Sequence, residues 1–238
     1  ILAETKEIEP EWRNRFHRNI NEDSARLAES SKALVSYLDL AEAKEEQLAS
    51  PQDEVDALLI DHGYHLEALE TENPDLAAVI ANEPRLTSDP ARLTARTFME
   101  KYVLDAKAMP LRRFREALSE LGLDPIALAQ RFSVSVHSVL SRLTAMPEGT
   151  LGSESGLIVC DNSGSLLFHK AIQGFAVPRF GSTCPLWPVY AALSRPMTPI
   201  FQRVEQVGRD ALQFDCFAIA HPHAPASFNE DPLFHSTM

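Results

Sequence analysis

The stretch GLIVCDNSGSLLFHK, residues 156–170, marks the point where the sequence changes from helical to strand-like patterns. It consists of two short apolar runs on either side of Asp161-Asn162-Ser163-Gly164. Turn-forming residues between two apolar runs are typical of a β-hairpin. Residues 52–146 show no strand-like alternation, so we expect helices first and a sheet afterwards.

The sequence after this hairpin predicts one helix and two more strands. The stretch PRFGSTCPLWPVYAALSRP, 178–196, indicates a Pro- and Gly-rich loop followed by a short helix through Val189 and Leu193. Two apolar runs, PIFQRVEQV and LQFDCFAIA, then flank a turn at 208–210. The order strand, strand, helix, strand, strand predicts a small antiparallel sheet with one helix, as in many small-molecule sensors. We expect the sheet to end near Ala220, because the Pro- and His-rich tail after it shows no clear element.

The sequence before the hairpin, residues 51–150, predicts a helical domain. Short helical patterns alternate there with turns that contain proline. The segment MPLRRFREALSELG, 109–122, places four apolar residues on one helix face before a glycine ends the pattern.

One part of this helical region has the spacing of a helix-turn-helix. In LAQRFSVSVHSVLSRL, 128–143, Ser135 would cap a second helix that exposes His137, Ser138, Ser141 and Arg142. That face carries one certain positive charge, whereas DNA-reading helices are usually surrounded by several Lys or Arg residues. We therefore interpret the stretch as a structural element that does not read DNA.

Residues 1–50 predict one long helix that pairs two chains. Ile20, Leu27 and Leu34 recur every seven residues, and Leu38 occupies an intermediate position. A seven-residue apolar repeat is the pattern of a coiled-coil seam. The alternative is a helix packed on its own domain, but the strongly charged flanks favour a dimer helix.

The overall composition limits the partners that the chain can have. Its 238 residues carry a net charge of −12, from 22 Lys+Arg and 34 Asp+Glu. Such a surface repels nucleic-acid backbones and anionic membranes unless its basic residues cluster. No apolar run approaches the roughly 18 residues of a membrane span. Because the chain starts at Ile1 without a signal peptide, we expect a piece of a longer cytoplasmic protein.

No catalytic or metal site is expected. In HGYHLEALE, 62–70, two histidines lie near two glutamates, but Gly63 stands where the zinc-peptidase motif His-Glu-x-x-His requires a glutamate. Cys160, Cys184 and Cys216 lie far apart and are expected to be reduced and buried. We therefore predict that the chain is not an enzyme, with a residual hydrolase using another constellation as the alternative.

Aromatic and basic residues concentrate around the loop before the short helix. Aromatic rings beside cations suit a ligand with a flat ring and phosphates. The alternative is an apolar plug between the sheet and the helices. The predicted ligand-binding set is Lys170, Phe175, Arg179, Phe180, Cys184, Trp187 and Tyr190.

The same stretch resembles the C-terminal domain of the short-chain fatty acyl-CoA regulators, which are bacterial transcription factors of the XRE type. These proteins carry an N-terminal helix-turn-helix, a middle region related to the ImmA/IrrE metallopeptidases and this C-terminal sensor domain. Residues 95–146 look like the second half of the ImmA/IrrE domain, where a helix-turn-helix shape is structural. The resemblance covers roughly 92–220 and implies a short-chain acyl-CoA or related metabolite as the effector.

The sequence departs from the family pattern at three points. The His-Glu-x-x-His motif is missing, so peptidase activity is not expected. The family's DNA-binding domain is not in this chain, so DNA would be bound only through a missing domain. Some relatives hold an iron–sulfur cluster on further cysteines, but Cys184 has no CxxC partner nearby.

In addition, residues 16–43 look like a dimerisation helix of sensor histidine kinases, which implies a homodimer.

Together these patterns predict an α+β protein with three parts. They are a dimerisation helix over 1–50, a degenerate ImmA/IrrE-like helical domain over 51–150 and an α+β sensor domain over 151–238. We interpret the chain as the ligand-sensing and dimerisation region of a bacterial transcriptional regulator without a bound cofactor. Lys170 and Arg179 would contact phosphates of a CoA thioester. The alternative is an interaction module that pairs subunits and binds no small molecule.

Overall fold

The computed structural model describes residues 51–175, 177, 184–205, 212–223 and 233–238. The predicted dimerisation residues Ile20, Leu27, Leu34 and Leu38 lie outside this part of the chain. Its helices are α1 (Pro51–Asp61), α2 (Leu76–Ala81), α3 (Asp89–Ala108), α4 (Leu111–Leu121), α5 (Pro125–Phe132), α6 (Val136–Thr144) and α7 (Pro188–Leu193), with a 3-10 turn at Glu67–Leu69. Its strands are β1 (Leu157–Cys160), β2 (Leu166–Lys170), β3 (Ile200–Glu205), β4 (Gln213–His223) and β5 (Leu233–Thr237). The predicted α+β class is confirmed.

Short polar side chains and prolines start the helices where the sequence indicates. Ser88 precedes α3, and its hydroxyl accepts a hydrogen bond from the backbone N–H of Ala91. Asp124 does the same for α5, where its carboxylate accepts from two backbone N–H groups of the first turn. These caps satisfy donors that a helix cannot satisfy internally.

The five strands form one antiparallel sheet in the order β2-β1-β5-β4-β3. Two hairpins, β1–β2 and β3–β4, are joined by β5, because Thr237 pairs with Val159 on one side and with Ile219 on the other. The expectation that the sheet ends near Ala220 was wrong: β4 continues to His223, and β5 lies in the tail. The tail strand therefore holds the two hairpins in a single sheet.

The helices and the sheet share a continuous apolar core. One cluster contains Phe114 and Leu128 from the helical region together with Leu157, Val159 and Ile219 from the sheet. The opposite face of β1 packs with α7 in a second cluster. Strand β1 is therefore buried on both faces, which explains its unbroken apolar run.

Candidate functional site

A cavity of about 550 Å³ lies between the helices and one face of the sheet. We call it the first cavity. Helices α1, α3 and α6 and strands β1, β2, β4 and β5 all contribute to its wall. Because its walls come from both the helices and the sheet, a change in the size of the cavity requires the helices and the sheet to shift against each other. The cavity is thus placed where a bound molecule could affect their arrangement.

An aromatic wall closes one side of the first cavity. The rings of Phe98 and Phe168 stack at 5.5 Å between centroids, and Tyr64 meets Phe168 edge-on at 6.3 Å. Leu157 and Val159 from β1 extend this apolar surface. Such a wall suits an aliphatic or aromatic part of a ligand.

A buried ion pair lies next to this aromatic wall, because Tyr102 packs against Phe98 at 6.5 Å between ring centroids and also contacts Arg142. The Arg142 guanidinium donates from Nη1 and Nη2 to the two carboxylate oxygens of Glu70, at 2.6 and 2.8 Å. Its Nε donates to the carbonyl of Met109 at 3.1 Å. The Tyr102 hydroxyl donates to Glu70 Oε1 at 2.7 Å, and Nδ1 of His65 lies 3.2 Å from the same hydroxyl. The group holds one guanidinium firmly at the edge of the cavity.

The electrostatics of this group follow from burial and pairing. Burial raises the pKa of the Glu70 carboxyl, but the hydrogen bonds from Arg142 and Tyr102 and the charge of Arg142 outweigh it, so that the pKa lies below its ordinary value. Burial and the bond to Glu70 raise the pKa of the Tyr102 hydroxyl. Arg142 and Glu70 are therefore both charged at neutral pH.

Further polar side chains surround the same space. The ring centroids of His137 and His221 lie 3.9 Å apart, and Nδ1 of His137 lies 2.7 Å from the Thr237 hydroxyl. Lys101 donates to Asp105 at 2.6 Å. Burial raises the pKa of the Asp105 carboxyl despite the opposing effect of Lys101. The first cavity thus combines an apolar wall with cationic and imidazole groups.

The helix-turn-helix shape is present, but its second helix faces inward. Ser133 forms the turn with φ of 55°, and Ser135 caps α6 as expected. The expectation that α6 exposes Arg142 and His137 was wrong, because Arg142 is 1% exposed and His137 packs against a strand. The inward face of α6 is the wall of the first cavity.

A second cavity, of about 460 Å³, opens beside β1 and β4 where β5 ends. Its lining includes Lys170, Ile172, Phe175, Phe214 and Met238. The Lys170 ammonium donates to the carbonyl of Thr144 at 2.7 Å and lies 4.9 Å from the centre of the Tyr64 ring. Since Thr144 lines both cavities and Tyr64 lines the first, Lys170 stands at the partition between them.

The structure separates the predicted ligand-binding residues. Lys170 and Phe175 line the second cavity. The ring of Phe175 packs on Trp187 at 4.9 Å and on Phe214 at 5.0 Å, and both Phe175 and Trp187 are buried. The contacts of Trp187 are thus those of a core residue.

Tyr190 and Cys184 are the other members of the predicted set that the structure describes. The Tyr190 hydroxyl donates to the carbonyl of Gly164 in the turn between β1 and β2, at 3.3 Å. Cys184 is exposed, contrary to the expectation that all three cysteines are buried. Arg179 and Phe180 lie outside the described residues.

Sequence reasoning missed most of the first cavity. Tyr64, Phe98 and Phe168 come from three distant segments, and no motif connects them. The sequence predicts Arg142 at the surface because its helix has the spacing of a DNA-reading helix. The one usable signal is that Arg142 lies within the apolar pattern of α6, two residues after Leu140 and directly before Leu143.

Metal-binding clusters and membrane-spanning helices are both absent from the described part of the chain. There, no group of three His, Cys, Asp or Glu side chains is arranged to hold a metal ion. None of its helices is both long and apolar enough to cross a membrane.

Comparison with known proteins places the chain beside transcriptional regulators. Residues 154–234 match the family described as short-chain fatty acyl coenzyme A regulator, C-terminal. The resemblance inferred from the sequence is therefore confirmed for residues 154–234. The ImmA/IrrE part of that resemblance stays a prediction.

Two curated relatives belong to Mycobacterium tuberculosis. The HTH-type transcriptional regulator RamB of strain H37Rv is 27% identical over 123 residues, which is 51% of this chain and 26% of the relative. The HTH-type transcriptional regulator PrpR is 28% identical over 122 residues, or 51% of this chain and 25% of the relative. The match thus spans about a quarter of the length of these relatives.

A solved structure shares the fold. The chain is similar to a protein described as a Mycobacterium tuberculosis transcriptional regulator, with a TM-score of 0.55 and 23% identity. The likeness covers 68% of this chain and 49% of that structure. It extends the fold relationship beyond the residues matched by the family.

Proposed function

We propose that this chain is the effector-sensing and dimerising region of a bacterial transcriptional regulator. The proposed effector is a short-chain acyl-CoA or a related metabolite, and the chain is proposed to act without catalysis. The observation that carries the proposal is the first cavity, because it joins an aromatic wall to a buried guanidinium between the helices and the sheet. The match of residues 154–234 to the acyl-CoA regulator family supports the choice of effector.

The chemistry of the first cavity suits an acyl thioester. Phe98, Phe168 and Leu157 offer apolar contact to a short chain, for which each buried methylene contributes about 0.8 kcal/mol. A guanidinium has five N–H donors, and Arg142 directs three of them to Glu70 and Met109. The Tyr102 hydroxyl forms a further hydrogen bond with this side chain, and a remaining donor is proposed to reach the carbonyl or a phosphate oxygen of the effector.

The proposed mechanism is a shift between two arrangements of the dimer. A ligand changes such an equilibrium only if it binds one arrangement better than the other. Helix α1 contributes Val55 to the first cavity and directly follows the predicted dimerisation segment, 1–50. We propose that α1 carries the effect of the ligand toward that segment, and that DNA is bound by a part of the protein outside this chain.

The sequence-predicted residues offer a second placement for the effector. Lys170, Phe175 and Val177 line the second cavity, and Arg179 and Phe180 follow Val177 closely in the sequence. In this placement Arg179 would contact phosphates, and Trp187 would affect the preferred acyl length through Phe175, on which it packs. The two placements predict different effects of mutations.

Two matched serine variants distinguish these placements. Ser141 lines the first cavity and Ser155 the second, and both are half-buried. Ser141→Leu should fill the first cavity and weaken binding of acetyl-CoA and propionyl-CoA in calorimetry, whereas Ser155→Leu should leave it unchanged. The reverse pattern, accompanied by weaker binding of CoA to Arg179→Ala, would place the effector in the second cavity.

Binding itself is the test of the proposed function. A ligand that binds only the folded state stabilises it by mass action, so an acyl-CoA should raise the melting temperature. If CoA, acetyl-CoA and propionyl-CoA all fail to bind below roughly millimolar, about −4 kcal/mol, the effector proposal fails. A dimerising module without a small-molecule ligand then becomes the better account.

A further inference from the structure

We propose that Lys170 is a site of covalent acylation by thioesters. This inference rests on the proposed function for the class of reagent, a short-chain acyl thioester. It adds a chemical reaction to what would otherwise be reversible binding. It also gives a role to Lys170, which is not among the residues proposed to contact the effector in the first cavity.

The position of the amine sets Lys170 apart from the other lysines that the structure describes. Lys101 forms an ion pair with Asp105, and Lys107 is exposed on the surface of α3. The Lys170 amine instead contacts a backbone carbonyl and the face of the Tyr64 ring. Burial lowers the pKa of this amine, although the charge of Glu154 opposes the effect. A larger fraction of uncharged, nucleophilic amine is therefore present than at an exposed lysine.

The surroundings also suit the product of the reaction. Lys170 lines the second cavity, where Ile172, Phe175 and Phe214 present apolar side chains. A cavity of about 460 Å³ has room for an acyl group of two or three carbons. The amide N–H formed by acylation can still donate to the carbonyl of Thr144, which now accepts from the ammonium. Acylation thus removes a partly desolvated charge and keeps a hydrogen bond.

The reaction is an acyl transfer without an oxidant or a metal. The uncharged amine of Lys170 attacks the thioester carbonyl carbon, a C–N bond forms and the C–S bond breaks. The leaving thiolate takes up the proton that the nitrogen loses. The products are an N-acylated Lys170 and the free thiol, so atoms and charges balance.

The experiment follows the rate of acylation at individual lysines by peptide mass spectrometry. The chain is incubated with propionyl-CoA and, separately, with S-propionyl-N-acetylcysteamine, a thioester that lacks the nucleotide. Lys170 should be propionylated several-fold faster than Lys101 and Lys107 by both reagents. In urea, where the fold is lost, this preference should disappear. Lys170→Arg should show the background rates at the other two lysines.

Binding of unacylated CoA is measured by calorimetry in parallel, because it tests the proposed function without the reaction. If CoA binds but Lys170 reacts no faster than Lys107, the acylation site is refuted and the effector proposal stands. If CoA, acetyl-CoA and propionyl-CoA all fail to bind, the effector proposal fails, while faster reaction of Lys170 with the small thioester still supports the acylation site. Preference for Lys170 that persists in urea would also refute it, since the fold would then play no part.

Discussion

Glu70 and Arg142, which are 72 residues apart in the sequence, form a two-pronged ion pair, and Arg142 also lines the first cavity. The side chains of Arg142 and Glu70 are 1% and 13% exposed, so both charges are largely removed from water. The same guanidinium donates to Met109 at the end of α3. The Arg142 side chain thus connects α6 to the end of α3 and to Glu70, which follows the 3-10 turn.

Removing one member of this pair should strongly destabilise the fold. Glu70→Gln leaves the Arg142 guanidinium buried without its countercharge, and Arg142→Met leaves the Glu70 carboxylate in the same position. A buried charge that loses its partner typically costs about 3–5 kcal/mol. Urea unfolding of each variant, with the midpoint and the slope fitted separately, measures this cost.

The chain contains a matched control for this prediction. Arg203 and Asp215 form an ion pair of the same two-pronged geometry, at 2.6 and 2.9 Å, on the exposed surface of β3 and β4. Because water solvates both partners, Arg203→Gln should change the unfolding midpoint little. Equal destabilisation by the Arg203 and Glu70 variants would show that burial does not decide the strength of the pair.

The contribution of Glu70 to stability should depend on pH in the acid range. The pKa of its carboxyl in the folded protein is held below the ordinary value of 4.5. A carboxyl with a lowered pKa stabilises the fold fully above its unfolded pKa, and this stabilisation is lost as the pH falls through the folded pKa. The difference in unfolding free energy between wild type and Glu70→Gln should therefore be constant near neutrality and shrink below pH 4.5. If this free-energy difference instead grows as the pH falls, the pKa of the Glu70 carboxyl is not lowered in the folded protein.

The sequence was most informative where local signals determine the structure. The turn at 161–164 is confirmed, because Asp161 Oδ1 accepts from the backbone N–H groups of Ser163 and Ser165, and Gly164 has φ of 83°. The short helix through Val189 and the cap at Ser135 are confirmed for the same reason. Each of these features depends on a few neighbouring residues.

Features that depend on distant partners could not be predicted in this way. The pairing of Arg142 with Glu70 cannot be read from either segment, because each charge alone favours the surface. Strand β5 was missed because it is short and polar, with Ser236 and Thr237 fully buried. Its place is decided by the two hairpins that it joins, not by its own hydrophobicity.

The buried hydroxyl of Ser236 in β5, the central strand of the sheet, should contribute to the stability of the fold. It donates to the carbonyl of Val189 at 2.6 Å and so connects β5 to α7. Ser236→Ala leaves that buried carbonyl without its donor, which typically costs about 1–3 kcal/mol. The control is Ser194→Ala, since Ser194 makes a similar bond to Ala191 at 2.7 Å but is exposed. Equal midpoints for the two variants in urea unfolding would contradict a structural role for β5.

The dimerisation segment lies outside the described residues and is tested directly. Leu27→Lys and Leu34→Lys together place two charges in the proposed seam. Because charges are costly in an apolar helix interface, the variant should have half the mass of the wild type in light scattering. Circular dichroism of the variant should show that its fold is retained. An unchanged mass with intact folding would remove the helix from the dimer interface.

The chain alone should not bind DNA, and the structure shows which residues must be tested. Arg142 is buried, so its mutation would disturb folding and could not report on DNA. Among the exposed arginines, Arg112 pairs with Glu116 at 3.0 Å and Arg131 with Glu120 at 3.2 Å, which weakens their attraction for phosphates.

With a net charge of −12, the chain should give no gel shift even at roughly 50 mM salt, where phosphate-driven binding is favoured. A shift that Arg131→Ala abolishes would show that the outer surface of α5 and α6 reads DNA after all. Absence of a shift would agree with an α6 whose inner face lines the first cavity.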